Sequence, residues 1–297
     1  MAHTILVPLD GSGFAEQALE PAADIARRTG ARLELATAYC SQMPAWRTSG
    51  APMHDPRMDG ERIGELKRYL EQAASRVAHD LDVSASGVLL HGSAAEVLAR
   101  HIAERPPQLV VMTTHGRGGL SRFWLGSVAE DLMRLAHSPI LVLKPREGEP
   151  LRSFAPREIL VPLDGSERAE RVIEDAAWLS ARESVRFTLL RIVAPPLATP
   201  YPTIFAGGSA VDADEVMAAA QDRLQLATAR LSARGFQVDG RVVLDSEVAR
   251  AILAASGGTD LIAMATHGFD AVRRLLVGTV ADKVVRAAQV PVLLRRA

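Results

Sequence analysis

The chain has 297 residues, of which 48% are hydrophobic and 23% charged, a composition typical of soluble globular proteins. Its 34 basic and 35 acidic residues leave a formal charge of −1, which excludes a global field that would recruit nucleic acid or an anionic membrane. Cys40 is the only cysteine, which excludes an intrachain disulfide and predicts a reducing, cytoplasmic location, and no apolar run reaches the roughly 18 residues of a membrane span.

Two segments of the chain occur twice at a nearly constant spacing. Thr4–Ser12 returns as Glu158–Ser166 with a shift of 154 residues, and Leu109–Gly116 returns as Leu261–Gly268 with a shift of 152. Such a spacing is too long for a solenoid repeat and matches a domain that folds on its own. The sequence therefore predicts two domains of one architecture.

The domain boundaries follow from a change in composition. Residues 147–156 are rich in proline, glycine and charge, which is typical of a linker. We therefore predict a first domain over 1–146 and a second over 157–297.

Short apolar runs alternate with stretches of helical period in each copy, which favours β-α-β units and a parallel sheet with helices on both faces. Helices are expected from Glu61 to Asp80 and from Asp214 to Arg234. The irregular stretches 41–60 and 194–212 are interpreted either as functional lids or as disorder. The predicted strands of the first copy are Ile5–Leu9, Leu33–Tyr39, Gly87–Leu90, Leu109–Met112 and Ile140–Leu143.

Two features follow predicted strands, at the edge where open α/β sheets bind ligands. Asp10 follows the first strand, and the glycine-rich stretch 113–127 follows the fourth and leads into a helix. Glycines and the free amides of a helix start bind phosphate. An alternative is that Ser127–Glu130 and Thr279–Asp282 are capping boxes and that Asp10 and its repeat Asp164 only form turns.

Enzymatic motifs are weak in this sequence. His115 and His267 have no serine or cysteine placed as a nucleophile beside them, so we expect no catalytic residue. The histidine spacings do not predict a zinc site, and the sequence has no P-loop motif.

Both halves resemble universal stress protein domains. Gly116 and Gly126-Ser127 are separated by nine residues, as are Gly268 and Gly278-Thr279, and this spacing is the family pattern. The resemblance implies two tandem flavodoxin-like, Rossmann-like domains, each with a five-stranded parallel sheet. It also implies ATP, with or without Mg²⁺, as ligand, and no strong enzymatic activity.

The resemblance assigns site residues position by position. It places Pro8 and Asp10 beside the nucleoside, the backbone of Ala38 against the adenine, and the glycine-rich segment with the next helix start against the phosphates. The full set in the first half is Pro8, Asp10, Ala38, Thr113, His115, Gly116, Arg117, Gly126, Ser127, Val128 and Ala129. The set in the second half is Pro162, Asp164, Ile192, Ala265, Gly268, Gly278, Thr279, Val280 and Ala281.

The family pattern also has a glycine three residues before Gly116 and Gly268. Both halves depart from the pattern there, because this position is Thr113 in the first half and Ala265 in the second. The first loop carries the cation Arg117, whereas Phe269 and Asp270 add bulk and negative charge to the second. We therefore expect unequal sites, with the first the better ATP binder.

Three functions stay open: an ATP-binding regulator of the stress response, a nucleotide-free dimerisation module, and a weak Mg²⁺-dependent ATPase. The terminal strand of each half is apolar, and an unpaired edge strand invites pairing. The resemblance implies that these strands pair the two halves as an intrachain pseudo-dimer, and that two chains form a homodimer.

Overall fold

A computed structural model of the chain forms two compact units, Met1–Ala155 and Pro156–Arg295 apart from the last two residues. No helix in the described part of the chain is both long and apolar enough to span a membrane. The residues that the structure describes are 3–41, 56–114, 125–144, 154–164, 167–180, 185–195, 213–266 and 279–296.

The first unit is a doubly wound α/β domain. Its strands are β1 Thr4–Pro8, β2 Arg32–Tyr39, β3 Ala85–His91, β4 Leu109–Thr113 and β5 Ile140–Leu143. Its helices are α1 Gly13–Glu16, α2 Leu19–Thr29, α3 Pro56–Asp80, α4 Ala94–Glu104 and α5 Ser127–Leu135. The strand order is β3-β2-β1-β4-β5, and every pair is parallel, which confirms the predicted Rossmann-like architecture.

The second unit repeats this plan. Its strands are β6 Glu158–Leu163, β7 Arg186–Val193, β8 Gln237–Leu244, β9 Leu261–Thr266 and β10 Val292–Arg296. Its helices are α6 Glu167–Leu179, α7 Ala213–Ala233, α8 Val248–Ala255 and α9 Thr279–Ala287. Within the unit the order is β8-β7-β6-β9-β10, so β6 takes the place that β1 has in the first unit.

The central strands are buried because their apolar runs are unbroken. All residues of β4 and β5 are buried, as expected for strands covered by helices on both sides. On α2, Leu19, Ala22, Ala23 and Ala26 form one face of the helix and are buried as well. The core of the first unit therefore lies along both faces of its sheet.

Helix α3 begins at Pro56, five residues before the predicted start, so the prediction of an irregular stretch was wrong for residues 56–60. Proline fits the first position of a helix because its φ angle is already helical. Asp59, in the first turn of α3, also accepts hydrogen bonds from Tyr39 Oη and, at 2.7 Å, from Ser41 Oγ.

Helix α7 begins one residue before its predicted start. The remaining parts of the irregular stretches, 42–55 and 196–212, lie outside the described residues.

A glycine sets the distance between α3 and the sheet. A Cβ on Gly87 of β3 would lie 2.8 Å from Leu70 Cβ, and Leu70 is a core residue, 3% exposed. In the second unit a Cβ on Gly240 would lie 3.1 Å from the flexible end of Leu224. The first contact is therefore less able to adjust than the second.

We predict that Gly87→Ala lowers the free energy of unfolding of the first unit by about 1 to 3 kcal/mol, the usual cost of overpacking. Gly240→Ala is expected to cost less, because the Leu224 side chain can move. Gly64→Ala is the control: it lies within α3 with no atom near its added Cβ and should stabilise by roughly 0.5 to 1 kcal/mol. Urea unfolding of the three variants measures this, and equal losses for Gly87→Ala and Gly240→Ala would contradict it.

Candidate functional site

The carboxyl edge of the first sheet brings three strand ends together. Strand β1 pairs in parallel with β2 on one side and β4 on the other, so the strand order reverses there and a crevice opens. Pro8 ends β1, Ala38 is next to last in β2, and Thr113 ends β4. Asp10 follows β1 by two residues.

Asp10 forms a turn in the first unit. Its Oδ1 accepts from the Ser12 backbone N–H at 2.9 Å and from Ser12 Oγ at 2.6 Å. Ser12 Oγ in turn accepts from the Ala15 N–H at 3.2 Å and caps α1. The interpretation of Asp10 as a turn former therefore holds, and the turn fixes the carboxylate at the crevice.

The charge of this carboxylate acts on a half-buried phenol of α3. Burial, together with the neighbouring Glu16 and Asp10, raises the pKa of Tyr69 on α3, so the phenol stays protonated at neutral pH. Arg76 pairs with Glu16 at 3.0 Å. The Tyr69 phenol thus interacts with the carboxylates of two residues that follow β1.

Helix α5 follows β4, and its start differs from one prediction. The N-cap residue is Gly126, with no side-chain cap hydrogen bond, and Ser127 is the first helical residue. The capping-box interpretation of Ser127 was therefore wrong. A capping serine must stand one residue before the helix, with extended backbone angles, and Gly126 occupies that position, with φ −63° and ψ 145°.

Gly126 approaches the end of β4 closely. Its N–H donates to the Thr114 carbonyl at 2.7 Å, and a Cβ there would lie 3.2 Å from that oxygen. This contact sets the first turn of α5, with Ser127 exposed, Val128 half-buried and Ala129 buried, beside the strand ends. Helices α4 and α8 also lack a side-chain cap, so the close approach, rather than the missing cap, distinguishes α5.

The second unit places the repeated residues equivalently where it is described. Pro162 lies in β6 with Asp164 just beyond it, Ile192 is next to last in β7, and Ala265 is next to last in β9. Thr279, Val280 and Ala281 form the first turn of α9. The predicted site residues His115, Gly116, Arg117, Gly268 and Gly278 lie outside the described residues.

The two residues that replace the first glycine of the pattern differ in burial. Thr113, which replaces the first glycine of the pattern, is 7% exposed. Ala265 at the equivalent position is half-buried. Within the described ranges, no three His, Cys, Asp or Glu side chains are grouped so that they could hold a metal ion.

Sequence reasoning missed one charged residue at the second site. Arg191 Nη1 donates to the Leu163 carbonyl at 3.2 Å, at the end of β6. In the first unit Thr37 holds this position, and its Oγ1 donates to the Leu9 carbonyl at 3.0 Å. Superposing the two halves with the 154-residue shift already places Arg191 opposite Thr37.

A family model described as the universal stress protein family matches residues 1–144 and again 156–296. The chain belongs to the universal stress protein family. The two matches cover both structural units, so the chain is a tandem member of this family.

Relatives and solved structures agree with this assignment. A universal stress protein of Mycobacterium tuberculosis strain H37Rv is 29% identical over 191 residues, 64% of this chain, and the chain spans only 62% of the length of that relative. A universal stress protein of strain CDC 1551 is 25% identical over 98% of this chain and 96% of its own. The crystal structure of a universal stress protein from Archaeoglobus fulgidus has a TM-score of 0.73 at 17% identity, with 99% and 98% of the two chains covered, and so shows the same fold.

The second universal stress protein unit contains a buried charge pair at a position where the first has an apolar residue. Arg295 Nη1 donates to both carboxylate oxygens of Asp175 at 2.6 and 2.8 Å, and the Asp175 side chain is 7% exposed. Burial raises the pKa of Asp175, and Arg295 opposes that rise. In the first unit the position of Arg295 is held by Leu143.

We predict that Arg295→Leu destabilises the second unit by roughly 3 kcal/mol at neutral pH, near the low end for breaking a buried ion pair because Arg295 is itself 29% exposed. Without Arg295 the pKa of Asp175 rises further, and the charged carboxylate is penalised above that pKa. As pH falls through the raised pKa, protonation relieves the penalty, so the loss relative to the parent should shrink.

Urea unfolding at neutral and at mildly acidic pH measures this loss. Arg186→Leu is the control, because the Arg186 side chain is 55% exposed and its removal changes the net charge equally. The double variant Asp175→Asn/Arg295→Leu should recover part of the stability. A loss for Arg295→Leu that does not depend on pH would contradict the prediction.

Proposed function

We propose that this universal stress protein binds ATP, with or without Mg²⁺, at one site in each unit and acts in the cytoplasm as a nucleotide-dependent regulator of the stress response. The sites are the crevices at the carboxyl edges of the two sheets. The proposed residues are those that the family pattern assigns, including the five outside the described residues.

The observation that carries this proposal is the start of α5. The Gly126 N–H donates a hydrogen bond to the Thr114 carbonyl at 2.7 Å, and the helix that follows has no side-chain cap. The first N–H groups of a helix have no partner within it, and the positive end of the helix dipole favours anions. A phosphate chain held by the amides of Ser127, Val128 and Ala129, next to Gly126, whose own N–H is taken by Thr114, would leave the nucleoside beside Pro8, Asp10 and Ala38.

Oriented backbone amides bind an anion without a nucleophile or a metal cluster, which fits a regulator better than a strong catalyst. Bound nucleotide would order the segments around the crevice and so alter a surface that a partner recognises. The expected assembly is pairing of the two units through their terminal strands, with a further homodimer of chains. Size-exclusion chromatography with light scattering tests the homodimer.

The direct test of the function is release of bound small molecules from freshly purified protein by heat, followed by mass identification. Adenine nucleotide at near-stoichiometric amount supports ATP binding. Protein that releases no nucleotide, and that shows no heat of binding with ATP in calorimetry, would count against it and favour the nucleotide-free dimerisation module.

We predict unequal losses when each site is blocked by a carboxylate. In Gly126→Asp a negative charge is added at the start of α5, next to the proposed phosphate position, and the Cβ lies 3.2 Å from the Thr114 oxygen. Gly278→Asp makes the equivalent change in the second unit. Because the first site is expected to bind ATP better, Gly126→Asp should remove the tighter phase of an ATP titration and Gly278→Asp the weaker one.

Gly126→Ala separates the steric effect from the charge, since it adds the same Cβ without the carboxylate. We expect it to weaken ATP binding less than Gly126→Asp does. Equal loss of binding in Gly126→Asp and Gly278→Asp would refute the asymmetry between the sites.

A further inference from the structure

The second sheet carries a cation, Arg191, where the first sheet has Thr37 at the equivalent position. Arg191 lies in β7, directly opposite Leu163 in the register of β7 with β6. Its guanidinium turns toward the end of β6, where Nη1 donates to the Leu163 carbonyl at 3.2 Å. Leu163 lies between Pro162 and Asp164, the two residues proposed to border the nucleoside.

The equivalent residue of the first unit shows that this hydrogen bond does not require an arginine. Thr37 satisfies the Leu9 carbonyl with its hydroxyl at 3.0 Å and is 3% exposed. Arg191 makes the same kind of bond but is only half-buried. The extra length of the arginine therefore places polar surface at the crevice beyond what the backbone needs.

The guanidinium has further capacity for binding. It carries five N–H donors, and among the described residues the Leu163 carbonyl is the acceptor that its Nη1 meets. It is always charged, planar and weakly hydrated, so its face stacks on aromatic rings. Because the bond to Leu163 already holds the side chain, little further rotamer freedom would be lost on binding.

We propose that Arg191 contacts the nucleoside of the ligand in the second site, by stacking its guanidinium plane on the base, and is a specificity-determining residue of that site. This inference rests on the function proposed above. Among the described residues of the first site, the equivalent position is Thr37, which is short and buried. The second site thus recognises its ligand more through the base and less through the phosphates than the first.

The experiment measures the second site alone, in full-length protein that carries Gly126→Asp. Arg191→Thr introduces the residue of the first unit and keeps a donor for the Leu163 carbonyl. It should raise the Kd for ATP and the Kd for adenosine by a similar factor, roughly tenfold, as expected when one stacking contact is lost. Arg191→Lys keeps the charge without the planar group, and it should raise both constants as well.

Arg186→Thr is the matched control. It removes the same charge from the same strand, but Arg186 is the first residue of β7 and so lies at the opposite edge of the sheet. It should leave both constants unchanged. Thermal unfolding checks that each variant is folded.

Each outcome has one meaning. If Arg191→Thr weakens ATP but not adenosine, and Arg191→Lys restores ATP binding, Arg191 is a phosphate contact and the stacking proposal is wrong. If both constants stay unchanged while ATP still binds, the role of Arg191 fails and the proposed function stands. If the Gly126→Asp protein binds neither ATP nor adenosine, the proposed function fails for the second unit, and the role of Arg191 fails with it.

Discussion

Parallel pairing of β1 with both β2 and β4 is the constraint on which the rest of the first unit depends. Because all strands run in one direction, every loop that follows a strand emerges at the same edge. Asp10, Ala38 and Thr113 are far apart in sequence, and they reach this edge only because the register holds Ile5 opposite both Leu33 and Leu109. The strand order therefore determines where the candidate site lies, and the side chains determine its chemistry.

Two glycines of the first unit allow close contacts because they have no Cβ. Gly87 lets α3 lie directly on β3, where a Cβ would meet Leu70. Gly126 lets the start of α5 reach the Thr114 carbonyl. The first contact places the helix that carries Tyr69, and the second places the amides of α5. Glycine permits such a close approach of backbone segments, and residues with a Cβ do not. The same property therefore determines the packing of the core and the position of the amides at the carboxyl edge.

The duplication, the strands and the fold class could be predicted from the sequence, because unbroken apolar runs such as Leu109–Met112 have few alternatives to a buried strand. The start of α3 could not, since Pro56 and Gly60 fit a loop as well as a helix, and the hydrogen bond from Ser41 to Asp59 joins residues 18 positions apart. Ser127 was misjudged for a similar reason. Its sequence context fits a capping box, but the bond from Gly126 to Thr114 moves the helix start by one residue. Such choices depend on contacts between distant segments, which no local pattern contains.

Two differences between the units exchange a side chain on a strand without changing the strand order. Thr37 and Arg191 bond the same backbone carbonyl, and the ion pair of Arg295 stands where the first unit has the buried Leu143. In both cases the strand order is unchanged, so the fold tolerates the exchange, and Arg191 adds a charge near the end of β6. A duplicated domain can in this way keep one architecture and alter its ligand preference at a single edge. The physical reason is that main-chain hydrogen bonds hold the sheet together, whereas side chains at strand ends border the crevice. A side chain at a strand end can therefore change while the main-chain hydrogen bonds stay the same.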